Sequence, residues 1–144
     1  MKKLLMKYMT LVVLVSLVAC SGKKEEAVVE SSSDSDEWPM MDEFHMVMAE
    51  SFHPYKDSAN IAPAVSLASE MAALADKWST SELPGKVNND EVKAHLALLK
   101  TETAAFVVTS QSGDEQQIGQ ALTNLHDLFH KLQEAWYGAH GHQH

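Results

Sequence analysis

Two histidines four residues apart, His126 and His130, stand in the segment Leu-His-Asp-Leu-Phe-His (125–130). In a helix this spacing projects both imidazole rings from one side. Neutral imidazole nitrogens are common ligands of transition metals, and two rings at this spacing can share one ion. Asp127 would orient the rings from outside the coordination shell. The segment therefore predicts a site for a transition metal such as Cu, Zn, Ni or Co.

Further candidate ligands emerge when each residue is placed about 100° from the last around its helix. His45 then lies roughly 60° from the centre of the first apolar stripe, and His95 roughly 40° from the centre of the third. His126 and His130 lie roughly 80° and 120° from the centre of the fourth. In two antiparallel helices, residues at the same height along the bundle have sequence numbers that add up to a constant. Matching heights in this way brings one candidate from each helix to a common layer. The layer holds His45, Glu70, His95 and His130, and His126 and Met48 lie about one turn away from it. These six residues are the predicted metal ligands.

Each candidate also has a purely structural interpretation. A histidine at the edge of a stripe can serve only as a hydrogen-bonding residue, Met48 can fill the core, and Glu70 can lie on a solvated face. The alternating histidines within residues 140–144 would bind Cu(II), Ni(II) or Zn(II) weakly, or form a solvated tail without a selected role. The angle of His130 decides between an inter-helix site and surface chelation, and a His130 that faces solvent would also favour a helical adaptor without a cofactor.

The region from Trp38 onward is helical by pattern, because its apolar residues recur at helical spacing and strand-like alternation is absent. Pro54 is expected to end the first helix, with His53 beside it at the helix end. Four amphipathic helices with mostly short connections predict an all-α fold: an antiparallel up-down-up-down four-helix bundle. The first two predicted helices cover about 40–52 and about 61–78. The third begins after a cap at Asn88 or Asn89, and the fourth begins after residues 112–114. The predicted bundle spans 38–138, and a His-rich flexible tail follows over 139–144.

The core of this bundle is predicted from the same periodicity. Each helix has one apolar stripe, which must be buried against the other three helices. The four stripes are Met41, Phe44, Met48 and Phe52; Ala64, Leu67, Met71, Leu74 and Trp78; Val92, Leu96, Leu99 and Phe106; and Ile118, Leu122, Leu125, Phe129, Leu132 and Trp136.

The start of the chain is predicted to be a targeting segment rather than part of the fold. A lysine-rich beginning precedes an apolar run over 11–19, which is too short to cross a bilayer as a helix. The run ends in Leu-Val-Ala-Cys (17–20), which resembles the lipobox of bacterial lipoproteins. The resemblance implies a signal peptide over 1–19, cleavage before Cys20, and a membrane anchor through a lipid on that cysteine. The same resemblance implies a location in the outer membrane, on its periplasmic or surface face, rather than in the inner one, because Ser21 stands where lipoproteins retained in the inner membrane have an aspartate.

The composition of the mature chain limits its partners. Without residues 1–19 the chain has eight lysines, no arginine and twenty acidic residues, a net charge of −12 with neutral histidines. Nucleic-acid binding is excluded on this basis, because it needs a basic surface for phosphate contacts. Residues 20–37 are rich in Ser, Glu, Asp and Lys and are predicted to form a disordered tether. Cys20 is the only cysteine, so its lipidation leaves no thiol for a disulfide or a metal.

The predicted bundle resembles two periplasmic haem protein families, cytochrome c-prime and the small soluble b-type cytochromes, at the level of fold. The c-prime family attaches haem through Cys-x-x-Cys-His on its fourth helix, and this chain lacks that motif. The b-type family uses a methionine on helix 1 and a histidine late on helix 4. The resemblance implies that Met41 or Met48 together with His130 could bind haem b.

Three functional hypotheses follow. The first is a lipid-anchored envelope protein that binds a transition metal through inter-helix histidines, for metal handling or sensing. The second is a noncovalent haem-binding bundle, and the third a cofactor-free helical adaptor for another envelope protein. An enzyme is not expected, because the chain has no nucleophile elbow, no glycine-rich phosphate loop and no His-Glu-x-x-His motif.

Overall fold

The computed structural model describes residues 37–140, with the side chain of residue 140 left aside, and this part is all-helical. The predictions for the signal peptide, for Cys20, for all but the last residue of the tether and for residues 141–144 lie outside this range. The helices are α1 (Pro39–Ser58), α2 (Ala62–Thr80), α3 (Asp90–Ser110) and α4 (Glu115–His140), with a short 3-10 turn at Gly85–Val87 between α2 and α3. Within the described part of the chain, no helix has the length and apolar character needed to cross a bilayer.

The helix starts follow the local sequence signals. Pro63 occupies the first turn of α2, where its missing N–H group costs no hydrogen bond. The Asn89 side chain caps α3 by accepting a hydrogen bond of 2.9 Å from the backbone N–H of Val92. The Asp114 carboxylate caps α4 by accepting one of 3.0 Å from the backbone N–H of Gln117. The predicted starts of helices 2 to 4 are therefore confirmed: α2 begins with a proline in its first turn, and α3 and α4 each begin with a side-chain cap.

The predicted end of the first helix is wrong. α1 continues through Pro54 to Ser58 and stops only at Ala59, whose backbone is left-handed with φ of 54°. The N–H groups of Ala59 and Asn60 then donate to the carbonyl oxygens of Tyr55 and Pro54, at 2.8 and 3.1 Å. A proline inside a helix removes one hydrogen bond and costs about 3 kcal/mol, so other contacts must hold this last turn in place.

The contact that holds the last turn of α1 lies on α4. The Tyr55 ring is half-buried and packs over Gly119, where a Cβ atom would lie 2.5 Å from the Tyr55 hydroxyl oxygen and 2.6 Å from its ring carbons. Phe52 lies next to this ring, with the two centroids 6.2 Å apart. The absence of a side chain at Gly119 therefore lets α1 and α4 approach closely beyond the proline.

Consecutive helices pack against one another, and α1 packs against α4 to close the predicted four-helix bundle. The predicted stripes are buried, except that Leu67 and Leu74 of α2 are only partly covered and Ala68 and Ala75 take the central places. An aromatic cluster fills one end of the core, with the Trp38 and Trp78 rings 5.0 Å apart in an edge-on arrangement. The cluster consists of Trp38, Phe44, Trp78, Phe129 and Trp136.

The substitution Gly119→Ala is expected to lower the free energy of unfolding by about 1–3 kcal/mol, because the new methyl group overlaps the Tyr55 ring. Urea denaturation of the mature chain measures this change.

The matched control is Gly138→Ala, in the same helix, where nothing lies within 4 Å of the added atom. It is expected to leave stability unchanged or raise it by up to about 1 kcal/mol, because alanine favours a helix over glycine. Equal effects of the two substitutions would show that Tyr55 does not depend on a bare backbone at position 119.

Candidate metal-binding pair at the groove between α1 and α4

The His126 and His130 side chains converge on the outer side of α4. Their Nε2 atoms are 3.1 Å apart, and the ring centroids are 4.4 Å apart at an angle of 72°. Two nitrogens bound to one ion at about 2.05 Å would be about 2.9 Å apart at a right angle and about 3.4 Å apart at a tetrahedral angle. The observed distance fits two ligands of one metal ion; in the metal-free state it also fits a hydrogen bond from one neutral ring to the other.

The Phe52 side chain of α1 lies beneath the His126 ring and forms the floor of the site. The His126 ring stacks on the Phe52 ring with centroids 3.7 Å apart and planes inclined by 12°. Stacking leaves the ring edge free, so Nε2 faces His130 and Nδ1 lies 3.6 Å from an oxygen of Asp127. At that distance the Asp127 contact is electrostatic rather than a direct hydrogen bond. The stack therefore holds one ligand of the pair against a buried side chain of the neighbouring helix.

The surroundings of His126 favour its neutral form. Burial, first, lowers the pKa of His126 below its ordinary value of 6.5, and the positive charge of protonated His130 lowers it further. The charge of His53 acts in the same direction, while the Asp127 carboxylate opposes all three. Because a metal binds the unprotonated nitrogen, this environment keeps His126 in its ligand form at neutral pH.

His45 does not lie inside the apolar sector of α1, where its predicted angle placed it. The residue is exposed, and its ring lies flat against Phe129 with centroids 5.5 Å apart. The prediction was wrong because Val47 and Ser51 are also buried. Including them moves the centre of the buried face by about 30° away from His45. His45 therefore borders the α1–α4 groove instead of pointing into the core.

The remaining candidates lie elsewhere in the bundle. His95 is half-buried in a cleft between α3 and α4 that Lys131 and Glu134 also line, and its buried Nδ1 has no hydrogen-bond partner among the described residues. Glu70 is exposed on α2, and Met48 is enclosed in the core with 1% of its surface accessible. Within residues 37–140, no three His, Cys, Asp or Glu side chains are grouped so as to hold a metal ion. The structure thus brings two of the predicted ligands together, and His130 faces solvent.

Two contributors to this site were not foreseen from the sequence. Phe52 was predicted as a core residue, and His53 as a residue at a helix end. Phe52 also forms the floor beneath His126, and His53 lies close enough to lower the pKa of that ring. No sequence signal indicates the first role, since it depends on how closely α4 approaches α1. The role of His53 was missed because helix 1 was predicted to end before this residue, whereas α1 continues past it.

Comparisons of this chain with protein-family models, with characterised proteins and with solved structures found no match. Function is therefore inferred from the geometry of the described residues and from the sequence itself.

The pKa of His126 is expected to lie below 6.5 in the folded, metal-free chain, measured from the proton NMR shift of its ring against pH. His130→Gln is expected to raise that pKa, because it removes a repelling charge, and Asp127→Asn to lower it further.

The lowered pKa of His126 also makes the stability of the folded chain depend on pH. On acidification the unfolded chain protonates His126 near pH 6.5 while the folded chain resists, so this group costs stability as the pH falls below 6.5. The urea midpoint of the wild type is therefore expected to drop more between pH 7.5 and 5.5 than that of His126→Gln. A pKa at or above 6.5 would contradict the burial argument.

Proposed function

We propose that this chain is a lipid-anchored envelope protein whose bundle binds one transition-metal ion through His126 and His130, for metal handling or sensing. The observation that carries the proposal is the convergence of the two Nε2 atoms to 3.1 Å on the open side of α4. Two neutral imidazole nitrogens at this distance fit the separation expected between two ligands of a single ion.

Several features of the site support binding over an incidental contact. The stack on Phe52 holds the His126 ring in place before any metal arrives, which reduces the entropy lost on binding. The lowered pKa of His126 reduces the competition from protons at neutral pH. The acidic surface of the mature chain, with a net charge of −12, attracts cations to its neighbourhood.

The ligand types favour a particular group of metals. Both ligands are nitrogen, and Met48, which would add a soft sulfur, is sealed in the core. Imidazole ligands suit Zn(II), Ni(II), Co(II) and above all Cu(II), whereas Cu(I) prefers sulfur. The placement of the methionines also favours a metal ion over haem b, because Met41 and Met48 both lie in the core while His130 lies on the surface.

The location of this activity rests on the start of the chain. The lipobox-like segment and Cys20 are expected to place the mature protein outside the cytoplasm, attached to a membrane by its lipid. The acidic stretch that follows would separate the bundle from the anchor. A metal site on such a tethered domain would sample ions in the envelope space and pass them to, or report them to, an envelope partner.

Titration of the mature chain with Cu²⁺ or Zn²⁺ against a chromophoric chelator tests this proposal. The tail is first silenced by replacing His140, His142 and His144 with glutamine, because these residues would bind metal weakly on their own. In that background His126→Gln or His130→Gln is expected to weaken binding by at least about 10- to 100-fold, because loss of a residue that only supports a ligand already costs that much and each substitution removes a ligand itself.

The matched control is His45→Gln, which removes an exposed histidine that borders the same groove and stacks on Phe129 instead. It is expected to keep the affinity. For Cu(II), electron paramagnetic resonance should show imidazole nitrogen coupling that disappears with the pair. Unchanged affinity in both pair variants would refute the proposal.

A further inference from the structure

A cleft of about 460 Å³ lies between α3 and α4, outside the α1–α4 groove. Its volume falls within the range of small-molecule sites in proteins, which is about 300–1,000 Å³. Two short apolar side chains form its floor, the buried Val92 of α3 and the half-buried Ala135 of α4. Because neither side chain reaches far from its helix, the space between the two helices stays open.

The walls of the cleft carry charged and polar groups in an ordered arrangement. Glu91 and His95 lie one turn apart on α3, and Lys131 and Glu134 lie about one turn apart on α4. The two helices are antiparallel and joined by a short connection, so matching heights places Glu91 opposite Glu134 and His95 opposite Lys131. The cleft therefore has two carboxylates at one end and an ammonium group with an imidazole at the other.

The three charged side chains of the cleft are available to a ligand. Within residues 37–140, Glu91, Lys131 and Glu134 form no ion pair and no side-chain hydrogen bond. Lys131 and Glu134 are neighbours on one helix face, yet they do not neutralise each other. A ligand that supplies both charges would gain charge-assisted hydrogen bonds without having to break existing ones.

The His95 ring adds a directed donor at the ammonium end. Its Nδ1 atom is buried and has no hydrogen-bond partner among the described residues. A proton on that nitrogen would be a buried donor without an acceptor, so the neutral ring is favoured with its proton on Nε2. His95 then offers an N–H group beside the Lys131 ammonium, and both are donors that suit a carboxylate.

The same nitrogen argues against a metal ion in this cleft. An ion bound at Nε2 of His95 would force the ring proton onto Nδ1, whereas metal-bound imidazoles ordinarily donate that proton to an acceptor. An anion alone is also disfavoured, because Glu91 and Glu134 line the other end. The charges instead complement a molecule that carries a positive and a negative group.

We infer that the cleft between α3 and α4 binds a small zwitterion, with its ammonium group between Glu91 and Glu134 and its carboxylate against Lys131 and His95. This binding site is separate from His126 and His130 and does not depend on the proposed metal binding. It gives the bundle a second ligand of a different chemical class.

The spacing of the two ends sets the length of the ligand. Three to four residues along a helix correspond to about 4.5–6 Å. The amine nitrogen and carboxylate carbon of a single α-amino acid are only about 2.5 Å apart, whereas those of an extended dipeptide are roughly 5–6 Å apart. A dipeptide, or another amino acid with its two charges equally far apart, therefore fits the cleft better than an α-amino acid does.

The test is a titration of the metal-free mature chain with diglycine, followed by the backbone amide NMR signals of Val92, His95 and Ala135. These signals are expected to shift saturably. Three probes serve as matched ligands: N-acetyl-diglycine lacks the ammonium group, diglycine amide lacks the carboxylate, and glycine is too short. Each is expected to bind about 10-fold more weakly or worse, because it loses one of the two charged contacts.

The deciding variants are Glu134→Gln and Lys131→Gln, which remove one charge from each end of the cleft. Both residues are exposed, so the fold is expected to survive, as far-UV circular dichroism can verify. Each variant is expected to weaken diglycine binding about 10-fold. The matched controls are Glu102→Gln and Lys93→Gln, which make the same charge changes at exposed positions outside the cleft. They are expected to keep the affinity.

Several results would overturn the inference. Signals that do not shift with diglycine would show that the cleft does not bind such a zwitterion. Equal binding of a blocked peptide or of glycine would remove the roles assigned to the two charges and their spacing. An equal loss in the cleft variants and the controls would reduce the effect to the overall charge of the chain. None of these results bears on metal binding by His126 and His130.

Discussion

The packing of α1 against α4 is the contact on which the candidate site depends. Three contacts span this groove: Tyr55 over Gly119, Phe52 against His126, and His45 against Phe129. Tyr55 also helps to hold the final turn of α1 beyond a proline that would otherwise end the helix. The same approach places the Phe52 ring where the His126 ring lies on it. The closing contact of the fold is thus also the floor of the proposed metal site.

The packing of the core explains why the site lies at the edge. Large aromatic and aliphatic side chains fill the interior, and the aromatic cluster occupies one end of it. A polar ligand placed there would lose its hydration without gaining a partner, at a cost of several kcal/mol. His126 avoids most of this cost because only part of its ring is covered. The ring contacts Phe52 through its face and not through the edge that carries the two nitrogens. The result is a candidate ligand whose ring is held in place by packing while its Nε2 atom faces His130.

The edge position also links metal binding to the charge of the chain. An acidic surface concentrates cations but keeps other copies of the same chain away. Residues 37–140 place two candidate ligands together on such a surface, with no third His, Cys, Asp or Glu grouped with them. Protonation acts on the same pair, since both rings must be neutral to bind an ion. The lowered pKa of His126 therefore makes the proposed metal binding depend on pH.

The sequence alone determined the number and order of the helices and the starts of α2, α3 and α4, but not the end of α1. Local caps at Asn89 and Asp114 and one apolar stripe per helix were sufficient for this, because they act over short distances along the chain. The predicted level of His45 beside His130 agrees with the observed contact of His45 with Phe129, one residue away. Only the tertiary structure decided which way each side chain points. The angle of His45 depended on burial of Val47 and Ser51, and the stack of His126 on Phe52 depended on how closely α4 approaches α1. Such angles follow from the simultaneous packing of four helices, and no single helix contains that information.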